Sequence, residues 1–293
     1  MSTSGNQPPN MSGQLHTNPR NVDFVAPADA SGSRQPSLTA GLPQARIDGA
    51  PVHLVDEAGA LAVIADAAAH RTSRPLGVVS INLDHVYHFS TARSERSAEH
   101  SSDIEWFNLV DGAPIAAQVK RMTGTSYPKL SGSDLIGPVL DDAALHGHTI
   151  AVVGGSSDVT EALKARLSAD WPGLVFAGHW VPSRAELATP DASHALAKEL
   201  QAANVDILLV CLGKPRQEDW IAAYGAETGA GALLAFGAVV DFLAGRVSRA
   251  PRWISSAGFE WAWRLMLEPR RLFRRYVIQG PGAYVAVRRS TNG

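Results

Sequence analysis

From Pro51 onward, short apolar runs alternate with amphipathic stretches, a rhythm that predicts an α/β fold built on a parallel sheet flanked by helices. The apolar runs are almost continuous in Val, Ile and Leu, which is the composition of strands covered on both faces. The chain of 293 residues is 45% hydrophobic and 18% charged. Those values exclude a collagenous or wholly disordered polymer and allow a full core.

The first 45 residues are rich in Ser, Asn, Gln, Pro, Gly and Ala and show almost no apolar periodicity. They are expected to form an unstructured arm outside the fold. Strands are predicted at 77–82, 106–110, 149–154, 174–178, 206–213 and 232–237, with helices at 57–70, 113–122, 133–146, 157–169, 184–203 and 215–226. Asp134 marks a helix start, because Leu135, Ile136, Val139 and Leu140 follow at helical spacing. From Ala257 to Val277 the bulky apolar residues Phe259, Trp263, Met266, Leu267 and Phe273 lie among Arg264, Arg271 and Arg274. This stretch reads as a basic amphipathic helix or helix pair, broken near Pro269. The expected organisation is an arm at 1–45, one α/β domain at 46–245 and a basic helical appendage at 246–293.

The net charge of −2 conceals an uneven split. Residues 246–293 hold ten Arg against Glu260 and Glu268, a balance of +8, which leaves −10 on the preceding 245. A basic end of this kind is aimed at something anionic: nucleic acid, phospholipid or a nucleotide sugar. The single cysteine, Cys211, cannot form an intrachain disulfide, in keeping with a reducing compartment. The start lacks the basic and apolar regions of a secretory signal, and no run approaches the roughly 20 apolar residues that span a bilayer.

In doubly wound sheets ligands bind beyond the carboxyl ends of the strands, and that rule selects Ser80, Asn82, Asp111, Gly112, Gly154, Gly155, Ser156, Ser157, Gly213, Lys214, Pro215, Arg216, Gln217, Glu218, Gly237 and Asp241. Gly154-Gly155 before two serines could bring backbone N–H groups to a diphosphate, although steric needs alone put Gly and Ser in such turns. Neither G-x-G-x-x-G nor the Walker P-loop is present, which counts against a nicotinamide oxidoreductase or an ATPase. Asp111, between an apolar strand and a glycine, suits either a general base or a helix-capping aspartate. Gln217 and Glu218 either meet a ligand or complement a helix dipole. Asp84, His85 and His88 place two donors on one helix face without a third, so a surface pair outweighs a metal site there. Arg264, Arg271 and Arg274 fall on one helical face, either solvated or turned to a membrane or a diphosphate.

The stretches SINLDH, LVDG, LSGSDL, VVGGSSDV, LLVCLGKPRQEDW, FGAVVDFLAGRVSRAPRW and GFEWAWRLMLEPRRLFRRY resemble, in order, the motifs of the WecG/TagA/CpsF glycosyltransferases. The likeness covers about residues 50–280. It implies a Rossmann-like fold with a C-terminal appendage that meets the membrane. The activity it implies is inverting transfer of a hexosyl residue from a UDP-sugar to a polyprenyl-diphosphate-linked sugar, in exopolysaccharide or other cell-surface polysaccharide assembly. The setting would be cytoplasmic and peripheral on the inner membrane face, with an anionic lipid surface as partner, no nucleic acid, and a homo-oligomer left open. No metal or other cofactor is implied, the UDP-sugar being a substrate.

By the same resemblance, Asp111 is the base, and Ser80 and Asn82 stand where the family has its T-x-N residues that hold a sugar. Gln217 matches a site glutamine, and Asp241 an aspartate near the nucleotide. Arg264, Arg271 and Arg274 would neutralise the departing diphosphate, a task for fixed positive charge. The chain departs from the pattern at Ser80 (usually Thr), at Lys129 (usually Arg) and at Trp180-Val181-Pro182 (usually G-Y-F). These changes favour glucosyl or glucuronosyl transfer about as much as N-acetylmannosaminyl transfer. A non-catalytic nucleotide-binding module recruited to membranes by its basic end is the rival from another class.

Overall fold

A computed structural model of the chain describes residue 1, residues 37–89 and 103–246, Trp263, Met266, Phe273 and residues 278–291. Eight strands form one sheet in the order β1-β2-β4-β3-β8-β7-β5-β6. They are β1 (Gln44–Ile47), β2 (Ala50–His53), β3 (Leu76–Ile81), β4 (Glu105–Val110), β5 (Thr149–Gly154), β6 (Val175–Trp180), β7 (Ile207–Cys211) and β8 (Ala232–Leu234). All adjacent pairs are parallel except β1 with β2. The expected α/β parallel sheet is therefore present, enlarged by a hairpin at one edge. The hairpin turns at Asp48-Gly49, both with positive φ (49° and 84°), a conformation that Asp-Gly adopts at little cost.

The helices are α1 (Glu57–His70), α2 (Leu83–Phe89), α3 (Ala113–Thr123), α4 (Gly132–His146), α5 (Thr160–Asp170), α6 (Arg184–Leu187), α7 (Pro190–Ala202), α8 (Arg216–Tyr224), α9 (Val239–Leu243) and α10 (Gly280–Arg289). The strands alternate between two cores. Val78, Ile150, Val152, Ile207 and Leu209 face one side, where α1, α4, α5 and α9 supply Ile64, Leu135, Leu163 and Val240. Val79, Ile81, Ala151, Val153, Leu208 and Val210 face the other, against Ile115 of α3, Leu200 of α7, Ile221 of α8 and Val287 of α10. Burial on both faces is why these strands read as unbroken apolar runs.

Three boundaries differ from expectation. Residues 37–42 belong to the fold: Glu105 accepts hydrogen bonds from Ser37 Oγ (2.7 Å), Thr39 N (2.7 Å) and Thr39 Oγ1 (2.8 Å). The helix predicted over 184–203 is broken between α6 and α7, because Pro190 disfavours helical backbone at Thr189. The C-terminal segment returns to the sheet, where α10 packs on α2 and α3. There Gln118 Nε2 donates to Ser290 O at 2.6 Å and Arg121 Nη2 to Arg288 O at 2.7 Å. Arg264, Arg271 and Arg274 lie outside the described residues, as does most of the predicted appendage helix.

Candidate active site

Parallel strands bring their carboxyl ends to one edge of the sheet, and Ser80, Asn82, Asp111, Gly154, Gly155, Gly213, Gln217, Glu218 and Asp241 all sit at or just beyond those ends. From β5 the chain crosses to the β6 edge, whereas from β7 it crosses to β8 in the opposite direction. Neighbouring strands whose connections diverge leave a crevice at their carboxyl ends, here between Gly154 and Gly213. Both glycines have positive φ (98° and 75°), and a Cβ on Gly154 would stand 2.5 Å from Cys211 O. Only glycine lets the β5 and β7 turns approach this closely.

The chemistry-bearing contact lies at the ends of β3 and β4. Asn82 Nδ2 donates to Asp111 Oδ2 at 2.8 Å. Asn82 Oδ1 in turn accepts the His85 N–H at 3.1 Å, capping α2 and fixing the amide's orientation. Asp111 is half-buried, and its own N–H donates to Ile81 O, so the carboxylate is tethered at backbone and side chain yet open to solvent. Lys129 is exposed on the adjoining segment, next to Leu130, whose N–H donates to Val110 O at 2.7 Å.

Two expectations change. Ser80 does not offer its hydroxyl: the residue is buried, and Oγ donates to Leu130 O at 3.2 Å, tying the segment before α4 to the end of β3. Gln217 is also buried with both ends of its amide engaged, Oε1 by Gly213 N (3.1 Å) and Nε2 by Ala235 O (2.7 Å) and Glu218 Oε1 (3.1 Å). Both residues shape the site rather than present a free polar group to it.

Against the Ser80–Asn82 segment lies Lys214, a charged group that the strand-end rule selects without revealing its partners. Lys214 Nζ donates to Ser80 O at 2.7 Å and lies 3.3 Å from His85 Nδ1 and 3.5 Å from Glu218 Oε1. Burial, reinforced by the Lys214 and His88 charges, pushes the His85 pKa well below the usual imidazole value. The ring is therefore neutral and accepts from the ammonium. Burial also raises Glu218, against the opposing pull of Lys214, and Glu218 Oε2 has no hydrogen-bond partner. On the same helix as His85, His88 Nε2 lies 3.7 Å from Asp84 Oδ1. The Cys211 thiol is buried and pushed up to about 12, so it is no nucleophile.

Asp241 belongs to a separate cluster beside Gly155. Arg246 pairs with Asp158 and lies 3.8 Å from Asp241, and a Cβ on Gly155 would meet Val240 of α9 at 2.7 Å. The arrangement thus offers a restrained carboxylate at one pair of strand ends and close-packed glycine turns with a guanidinium at the other.

N-acetylglucosaminyldiphosphoundecaprenol N-acetyl-beta-D-mannosaminyltransferase of Bacillus subtilis (strain 168) is 27% identical over 175 residues, which is 59% of this chain and 65% of the relative. The chain therefore spans a little under two thirds of the curated relative's length. Residues 45–292, nearly all of the folded chain, match the family described as the glycosyl transferase WecG/TagA/CpsF family, and the chain belongs to that family.

Proposed function

We propose that this protein transfers a hexosyl residue from a UDP-sugar, with inversion, to the hydroxyl of a polyprenyl-diphosphate-linked sugar in cell-surface polysaccharide assembly. The observation that carries the reading is the Asn82–Asp111 contact at the carboxyl edge of the sheet. Asp111 takes the proton of the acceptor hydroxyl as its oxygen bonds to the anomeric carbon. The bond from that carbon to the diphosphate breaks, and its electron pair leaves with UDP. Asn82 restrains the carboxylate so that its free oxygen meets the hydroxyl, which keeps the attacking groups in line.

The glycine turns at 154–155 and 213, Lys129, and the arginines 246, 264, 271 and 274 are assigned to the anionic donor. Charge on the leaving diphosphate needs donors fixed in advance. We take transfer to proceed without a divalent ion, as the family resemblance implies. Among the described residues no helix is long and apolar enough to cross a membrane. Contact with the inner membrane face is assigned to the basic C-terminal stretch, which anionic lipid attracts. The relative's printed activity favours N-acetylmannosamine as the donor sugar, whereas the departures at Ser80, Lys129 and 180–182 keep glucosyl or glucuronosyl transfer on an equal footing with it.

A panel of UDP-sugars with a polyprenyl-diphosphate-linked sugar, read by UDP release and mass spectrometry of the product, tests the proposal. Asp111→Asn should lower kcat by about 10²–10⁴-fold, the usual worth of a general base, with UDP binding unchanged. Normal turnover by that variant would remove Asp111 from the role. A wild-type chain that binds UDP and anionic vesicles but releases no UDP with any donor would favour the non-catalytic module.

A further inference from the structure

Aspartate and histidine stand four residues apart on three described helices: Asp66 and His70 in α1, Asp84 and His88 in α2, Asp142 and His146 in α4. Among the described residues, the last of these pairs alone joins a group of three donors that could hold a metal ion. Gly147 ends α4 in the left-handed conformation (φ 68°), and the His148 N–H then donates back to Ala143 O at 2.9 Å. That fold-back sets the two rings 5.9 Å apart between centroids. One ligand atom from each of Asp142, His146 and His148 lies within 4.8 Å of the other two. His148 immediately precedes β5. The cluster is therefore separated from the carboxyl-edge site by the length of that strand, about 17–20 Å.

We propose that Asp142, His146 and His148 bind one divalent transition-metal ion, with Zn2+ as the reference ligand. Two imidazoles and a carboxylate without a thiolate suit Zn2+, Ni2+ or Cu2+, and do not suit Ca2+ or Mg2+, which take oxygen donors. The hydrogen-bond geometry fits. His146 Nδ1 lies 3.0 Å from Asp142 O, which can only accept, so Nδ1 carries the proton and Nε2 keeps its lone pair for a metal. Behind the second ring, His148 Nδ1 faces Asp206 Oδ2 at 3.7 Å. Asp206 is itself held by the Thr149 N–H at 2.7 Å and by Arg71. A fixed carboxylate behind an imidazole orients the ring and raises its basicity toward a metal. The carbonyl end of α4 adds negative potential where the cation would sit.

Ligand atoms around a tetrahedral ion with bonds near 2.1 Å stand about 3.4 Å apart, so donor atoms that lie within 4.8 Å of one another close up by side-chain rotation alone, for which the exposed His146 ring has room. Water would complete the coordination. The bound ion would clip the end of α4 to the start of β5, stabilising the fold without entering the transfer reaction.

The test uses the full-length, tag-free chain, stripped with chelator, dialysed and titrated with zinc chloride by calorimetry, with metal content measured by atomic spectroscopy. One Zn2+ per chain with a Kd below about 10 μM is expected. His146→Ala and His148→Ala should each weaken it by about 10–100-fold. His70→Ala, which removes a histidine of the same spacing outside the group of three, should leave it unchanged. The unfolding midpoint should rise with Zn2+ in the wild type and not in the His146→Ala/His148→Ala double variant, as binding to the folded state alone requires. Absence of stoichiometric binding, or binding that survives the double substitution, would overturn the proposal.

Discussion

Lys214→Met tests whether the ammonium beneath the Ser80–Asn82 segment holds the site's floor together. The lysine and Glu218 side chains are 10% and 5% exposed. Removing one partner of so buried a pair leaves an uncompensated charge, which costs about 3–5 kcal/mol. For a folded unit of roughly 250 residues each kcal/mol lowers Tm by about 2–4 °C, so a fall of about 6–20 °C is expected. The sign of its pH dependence follows from Glu218. Burial raises that carboxyl's folded pKa above its unfolded value, so its contribution is fully present below the unfolded pKa and declines as pH climbs through the folded one. Loss of Lys214, which opposes the rise, moves the folded value higher still. The deficit of Lys214→Met should therefore widen from acid to alkaline pH, and adding Glu218→Gln should recover most of it. Thermal unfolding followed by circular dichroism on either side of neutrality, for wild type, single and double variants, gives the whole cycle. A single variant within about 1 kcal/mol of wild type, or a double variant no more stable than the single, would refute the reasoning.

Asn82→Ala removes the donor that restrains Asp111, so kcat should fall by up to about 10²-fold with little change in donor KM; an unchanged kcat in steady-state UDP release would show the contact to be incidental. Glu105 is pushed up by burial, but its hydrogen bonds from Ser37 and Thr39 outweigh this and lower its pKa. Its contribution is thus present above the unfolded pKa and lost as pH falls through the folded value. Glu105→Gln should cost about 1–3 kcal/mol at neutral pH and progressively less in acid, measured by denaturant unfolding.

Five of the six strands read from the sequence lie inside the sheet with their apolar residues buried on both faces, an environment that continuous apolar runs signal directly, whereas β6 is an edge strand with Val175 exposed. The β1–β2 hairpin escaped the same reading because its four-residue strands are half exposed and contain Pro51. Its signal was the Asp48-Gly49 pair, a hairpin turn in two residues. Residues 37–42 looked like arm because what holds them, Glu105, is remote in sequence and polar. The site shows the same division. Strand-end position picks out Asn82 and Asp111, which do meet, and Lys214, but Lys214 and His85 meet across 129 residues and no local pattern announces such a pairing. Ser80 and Gln217 were placed correctly at strand ends, but position does not reveal that a polar atom is already satisfied by backbone.

The return of the chain at α10 changes how the basic C-terminal stretch has to be tested. Deleting everything after about residue 258 removes the arginines that the proposed function assigns to diphosphate and lipid. Such a deletion also removes Ala283 and Val287, both buried against the second core, and the Ser290 carbonyl that accepts from fully buried Gln118. Exposing a Val site costs about 1.5–3 kcal/mol, and an unpaired buried amide about 1–3 more. A chain ending at residue 277 should therefore melt well below the full chain by calorimetry, and its lost activity would say nothing about diphosphate or lipid; an unchanged melting temperature would show that α10 adds nothing to the core. Arg264, Arg271 and Arg274 have to be replaced by Ala in the full-length protein, where α10 still docks. Under the proposed function, UDP release and binding to anionic vesicles fall while the melting temperature holds. A parallel fall in all three would mean that the basic stretch supports the fold instead of meeting the diphosphate.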